Sequence, residues 1–135
     1  MPYAIENETY DGYNWRLSNT AGFNSSKSIY LNNFGNTSQS IDAFVSETFN
    51  LSGYSQSANM RLTFDYSYNK KESGNNEYLR VYISDDCGAT WDRIVTMNSN
   101  SLDATVTPSF YTPSSESDWR SKVCYIDNSY RSNNR

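Results

Sequence analysis

Residues 60–68, Met60-Arg61-Leu62-Thr63-Phe64-Asp65-Tyr66-Ser67-Tyr68, decide the fold class. Apolar or aromatic side chains take every second position against Arg, Thr, Asp and Ser. Successive side chains of a strand point to opposite faces, so this period of two describes a half-buried β-strand. A polar stretch, Lys70 to Asn76 (KKESGNN), then reads as a solvated loop. Beyond it Tyr78 to Ser84 alternates again, with Leu79, Val81 and Ile83 on one face and Tyr78, Arg80 and Tyr82 on the other. A turn from Asp85 to Thr90 leads into Trp91 to Met97, where Trp91, Arg93, Val95 and Met97 alternate with Ile94 and Thr96. The three segments predict a meander, its first two strands antiparallel across a hairpin connection.

Working outward, Ser28 to Asn32 (SIYLN) and Ala43 to Phe49 (AFVSETF) are shorter strand candidates separated by the polar run NFGNTSQSID. Downstream, Pro108 and Pro113 punctuate the loop TPSFYTPSSESD before Trp119 and a last alternating run, Val123 to Ile126. No helical i, i+3, i+4, i+7 stripe exceeds about two turns. No long-period repeat is visible, which argues against a solenoid or propeller. Short strands with frequent turn signals predict an all-β chain, a two-sheet antiparallel β-sandwich forming one domain over residues 1–135.

Composition agrees. The 135 residues include 17 Asn, 22 Ser and 12 Tyr but only four Lys, a bias that disfavours helix and suits strands joined by polar turns. Such a length accommodates one domain rather than two. Histidine is absent, which removes the usual general base and the commonest zinc ligand. A net charge of −4 with scattered cations argues against nucleic acid or anionic lipid as a partner. No run of ~18 apolar residues and no leader pattern occurs, so neither membrane insertion nor a signal peptide is expected. Cys87 and Cys124 fit neither a C-x-x-C redox site nor a four-ligand zinc site. They form either one disulfide, which needs an oxidising compartment, or two buried thiols.

The turn Ser84-Asp85-Asp86-Cys87-Gly88-Ala89-Thr90-Trp91 fits S-x-D-x-G-x-T-W and resembles the Asp-box hairpin of sialidase blades and of several unrelated β folds. Its physics is local. An Asp carboxylate accepts backbone N–H bonds across the turn, Gly supplies a positive φ, and Trp covers the hairpin base. Asp86, Gly88 and Trp91 are therefore expected to be structural. A sialidase would need several copies, an arginine cluster and a nucleophilic Tyr, and the sequence offers one copy without them.

The longer stretch LTFDYSYNKKESGNNEYLRVYISDDCGATWDRIV, followed by a Pro-containing loop and Ser-Asp118-Trp119-Arg120, resembles the MAM-like, galactose-binding-like jelly-roll modules of bacterial surface proteins. Such modules also follow the catalytic domain in cytophagalysin-type metalloproteases. Trp15 and the segment Ala43 to Phe49, ending in Asn50-Leu51-Ser52, sit where that family places its opening elements. The resemblance covers most of residues 13–130, and its specific core is D-x-C-G-x-T-W. It implies a jelly-roll sandwich, a non-catalytic accessory role and often a calcium ion. Family members continue to a closing Y-I-D-N-I strand, whereas Tyr125-Ile126-Asp127-Asn128 follows Arg120 too closely to fill that place. The final strands are thus expected in a C-terminal segment of a longer polypeptide or, less favoured, in a partner chain that donates a strand.

Catalysis is not expected. No S-x-x-K motif lies in a turn suited to a histidine-free serine nucleophile, and of Asp65, Glu72, Glu77, Asp85 and Asp86 only Asp65 lies on a strand. Candidate calcium ligands are Asp11, Asp42, Asp65 and Asp127, none within an EF-hand-type loop. Tyr78 and Tyr82, opposite Leu79 and Val81, are candidate ligand-binding aromatics, whereas Tyr66 and Tyr68 share the inward face with Leu62 and Phe64. Sequons at Asn7, Asn24, Asn36 and Asn50 are no more frequent than chance in a chain so rich in Asn, Ser and Thr. The expectation is a non-enzymatic adhesion or ligand-binding module, extracellular or on the cell surface, that engages a glycan or a protein surface. The alternative is a virion component such as a phage tail, fibre or decoration domain.

Overall fold

A computed structural model describes residues 3–7, 9–37, 39–55, 57–102 and 105–131. The described residues form ten strands, two 3-10 turns (Glu116–Asp118 and Asn128–Arg131) and no α-helix. None of their helices is long and apolar enough to cross a membrane. The fold is all-β and consistent with a β-sandwich, built from five small ladders rather than two broad sheets. Strand β1 (Tyr3–Asn7) pairs antiparallel with β4 (Asp42–Ser46), and β2 (Trp15–Ser18) with β3 (Ser28–Leu31). Strand β5 (Met60–Tyr66) pairs antiparallel with β10 (Arg120–Ile126), and β7 (Tyr78–Ile83) with β8 (Asp92–Asn98). The short β6 (Asn69–Lys70) and β9 (Thr105–Val106) run parallel.

The expected meander is corrected by this pairing. Strand β5 does not join β7; its partner is β10, with Met60 opposite Ile126, Phe64 opposite Lys122 and Tyr66 opposite Arg120. Lys70, expected in the loop, instead lies in β6, and its carbonyl accepts the Thr107 N–H at 2.9 Å. That ladder carries the chain away from β5. The strand expected to reach Tyr68 stops at Tyr66, where the Ser67 hydroxyl bonds the Asp118 carbonyl at 2.7 Å and the Tyr111 hydroxyl at 2.8 Å. Strand β4 likewise ends at Ser46, short of the expected Phe49, which is exposed. Strand β1 has no clear alternation to announce it, and β2 alternates, Trp15 and Leu17 against Arg16 and Ser18, over only four residues.

The innermost apolar side chains are Ala21, Met97, Leu102 and Cys124. Burying a side chain the size of Met97 contributes roughly 1.5–3 kcal/mol. Leu62, opposite Cys124, stays more exposed than its alternating pattern predicts. Polar contacts join the ladders. The Trp15 indole N–H donates to the Asp42 carbonyl at 3.1 Å, linking β2 to β4. Buried Ser99 accepts the Glu77 N–H at 2.7 Å, and the Tyr68 hydroxyl donates to the Glu77 carboxylate. Burial, and after it the bond to Glu77, push the Tyr68 phenol above its ordinary range. The Tyr130 hydroxyl reaches Asp92 Oδ2 at 2.6 Å, tying the turn after β10 to the start of β8.

Candidate functional site

The β7–β8 hairpin carries the site, and its turn sets the geometry. Asp86 Oδ1 accepts the Thr90 N–H at 2.8 Å and Oδ2 accepts the Thr90 hydroxyl at 2.7 Å. The Ser84 hydroxyl donates to Asp86 Oδ1 at 2.8 Å and accepts the Gly88 N–H at 2.8 Å. These bonds, those from Thr90 first and then that from Ser84, hold the Asp86 carboxyl at about 2, below its ordinary 3.8. Cys87 and Gly88 take left-handed φ values of 59° and 88°. A β-carbon on Gly88 would lie 3.4 Å from the Trp91 ring, so the indole lies directly over the turn. Asp86, Gly88 and Trp91 therefore meet in one turn. Ser84 and Thr90 supply most of its bonds, a role that the S-x-D-x-G-x-T-W spacing already encodes.

Beyond the turn, the outer face of the hairpin is assembled by register. Side chains directly opposite one another on antiparallel strands share a face. Tyr78 faces Asn98, Arg80 faces Thr96, and Tyr82 faces Arg93. The ladder slips between Val81 and Tyr82, so that Val81 pairs with Val95, Tyr82 pairs with Arg93, and Ile94 has no register partner. This bulge corrects the alternation expected for β8, in which Arg93 would share the face of Val95 and Met97. Ile94 and Val95 are both half-buried, and Arg93 is turned outward beside Tyr82. Tyr78 and Tyr82 are 51% and 44% exposed, against a buried Met97 on the opposite face. The Arg80 guanidinium lies 5.2 Å from the Tyr78 ring centre, and the Asn76 side-chain N–H donates to the Tyr78 hydroxyl at 3.0 Å.

The other sequence candidates lie apart. Asp11, in the β1–β2 loop, accepts the Tyr13 N–H at 2.8 Å; Asp42 opens β4; Asp65 on β5 accepts the Ser121 hydroxyl; Asp127 accepts the Ser129 N–H at 2.8 Å. Among the described residues no three His, Cys, Asp or Glu converge on one point, while Asn7 pairs with Asp42 across β1 and β4 and donates to the Asp11 carbonyl at 2.7 Å. Cys87 and Cys124 are both free thiols, Cys87 exposed at the turn and Cys124 buried on β10 opposite Leu62. Burial pushes the Cys124 thiol up. Asp118, in the Ser-Asp-Trp-Arg segment, accepts the N–H groups of Ser114 and Ser115 at 2.8 and 3.0 Å, which lower its pKa.

Comparison with known proteins matches no family model, no curated protein and no solved structure. What the site can do follows from its own residues. An exposed aromatic surface with flanking amide, hydroxyl and guanidinium groups has the chemistry to stack on a sugar ring and bond its hydroxyls.

Proposed function

We propose that this chain is a non-catalytic binding module of the MAM-like, galactose-binding-like jelly-roll kind, serving adhesion to glycans as part of a surface or secreted protein. The observation that carries this reading is the outer face of the β7–β8 hairpin. Tyr78 and Tyr82 stand exposed on it in line with Asn98, Thr96 and Arg93. Tyrosine rings give large contact area with little loss of side-chain freedom, and the polar neighbours supply directional bonds. A rigid ladder fixes their spacing before a ligand arrives, which lowers the entropic cost of binding. The test is a glycan array probed with the wild-type chain and with Tyr82→Ala. Binding to a defined subset, lost in the variant, supports the module; a clean negative across neutral and acidic glycans overturns it.

A second reading, a structural component of a virion or appendage, is favoured by the open edges that the five two-stranded ladders have among the described residues. Unpaired strand edges invite strand addition by another chain. Native mass spectrometry distinguishes the two: closed symmetric oligomers support assembly, and a monomer at micromolar concentration counts against it.

A further inference from the structure

We infer that the outer face of the β7–β8 hairpin selects sugars that carry a carboxylate. This rests on the glycan-binding reading above and specifies its ligand class. Six side chains share the face by register, Tyr78, Arg80, Tyr82, Arg93, Thr96 and Asn98; two are arginines and none is acidic, although the chain as a whole carries a net charge of −4. Neither arginine has a carboxylate as its register partner, since Arg80 faces Thr96 and Arg93 faces Tyr82. The two cations sit on a diagonal across the bulge, a relation that in a regular antiparallel pair sets neighbours about 7–8 Å apart, within reach of one ligand group for side chains this long.

The two tyrosines have different tasks. Tyr78 is already engaged, because Arg80 lies over its ring and Asn76 bonds its hydroxyl. Tyr78 is a positioning residue that holds the Arg80 guanidinium against the sheet. Tyr82 is left as the stacking surface, flanked by Arg80 two residues before it and Arg93 across from it. The bulge at Ile94 is what brings Arg93 there, since unbroken alternation would turn it to the side of Val95. A guanidinium presents a planar fork of donors that matches a carboxylate in two-point geometry. A pyranose stacked on Tyr82 would present its ring carboxylate to Arg93 or Arg80.

The test uses oligosaccharides of galacturonate, glucuronate and sialic acid, each as the free acid and as its methyl ester, which keeps shape and removes charge. Titration by calorimetry is expected to show the free acid of at least one sugar bound about tenfold or more tightly than its ester, the range of a charged hydrogen bond. Arg80→Gln and Arg93→Gln should each reduce that ratio, weakening binding of the acid more than binding of the ester, with melting temperatures unmoved. Tyr78→Leu should reduce the ratio too, through loss of the held guanidinium, while Tyr82→Ala removes binding of both forms. Equal binding of acid and ester, still dependent on Tyr82, overturns the carboxylate inference and leaves the glycan-binding reading intact. A preference for the acid that persists in both arginine variants also overturns it. Failure of every acid and every ester to bind overturns the carboxylate inference, and the glycan array, with its neutral sugars, decides the glycan-binding reading separately.

Discussion

Asp86 and Thr90 are joined twice, Oδ2 accepting the threonine hydroxyl at 2.7 Å and Oδ1 its backbone N–H at 2.8 Å. One carboxylate thereby clamps the two ends of the turn that separates β7 from β8. The clamp works only while the carboxylate is charged. Its pKa of about 2 lies below the ordinary 3.8, so the stabilisation is complete above pH 4 and is lost as pH falls through 2. Melting temperatures measured from pH 7 to pH 2 should show a gap between wild type and Asp86→Asn that is widest above pH 5 and closes toward pH 2. A gap that stays constant with pH would mean that the charge does not matter to the turn.

Gly88 sits at φ 88°, where a β-carbon is strained. Gly88→Ala should destabilise by about 1–2 kcal/mol from the left-handed backbone alone. The indole meets the new carbon at 3.4 Å, an ordinary contact, and Gly88→Val should cost more because a β-branched side chain is poorly tolerated at a positive φ. Chemical denaturation at fixed pH measures both, and an unchanged midpoint for Gly88→Ala would refute the turn geometry.

The two cysteines differ in access. Cys87 is exposed at the turn and Cys124 is 2% exposed on β10. A thiol reagent applied to native protein without reductant should titrate one group quickly and the second only after unfolding. No reactive thiol even after unfolding would indicate a Cys87–Cys124 bridge. Cys124→Ser places a hydroxyl in that buried position and should lower stability by roughly 1–3 kcal/mol.

Tyr130 donates to Asp92, a bond that raises its phenol to about 12 from the ordinary 10.0. A raised folded pKa contributes stability that is fully present below pH 10 and disappears as pH rises through 12. Tyr130→Phe should therefore lower the melting temperature at pH 7 to 9, and the difference from wild type should vanish in the alkaline limb. Equal melting temperatures at pH 8 would show that the link between the last turn and β8 contributes nothing.

What the chain determines locally is legible in the order of its residues. The alternation of Met60 to Tyr66 and Tyr78 to Ile83 marks strands because a period of two is a property of neighbouring residues. The turn around Asp86 is legible for the same reason, since its bonds span at most four residues. Partner choice is not. Strand pairing is made by backbone groups that every residue carries, so nothing in Met60 to Tyr66 names Arg120 to Ile126 as its partner. Tertiary packing also decides the face on which Arg93 stands. The pattern of β8 assigns it to the side of Val95 and Met97, but burying Ile94 and Val95 together requires one unpaired residue, and that bulge turns Arg93 toward Tyr82. The sequence alone thus determined the alternating strands β5 and β7 and the clamped turn, where the forces act between residues close in the chain. Only the tertiary structure decided the ladders and the face on which two arginines flank a tyrosine, because both depend on which distant surface each strand covers.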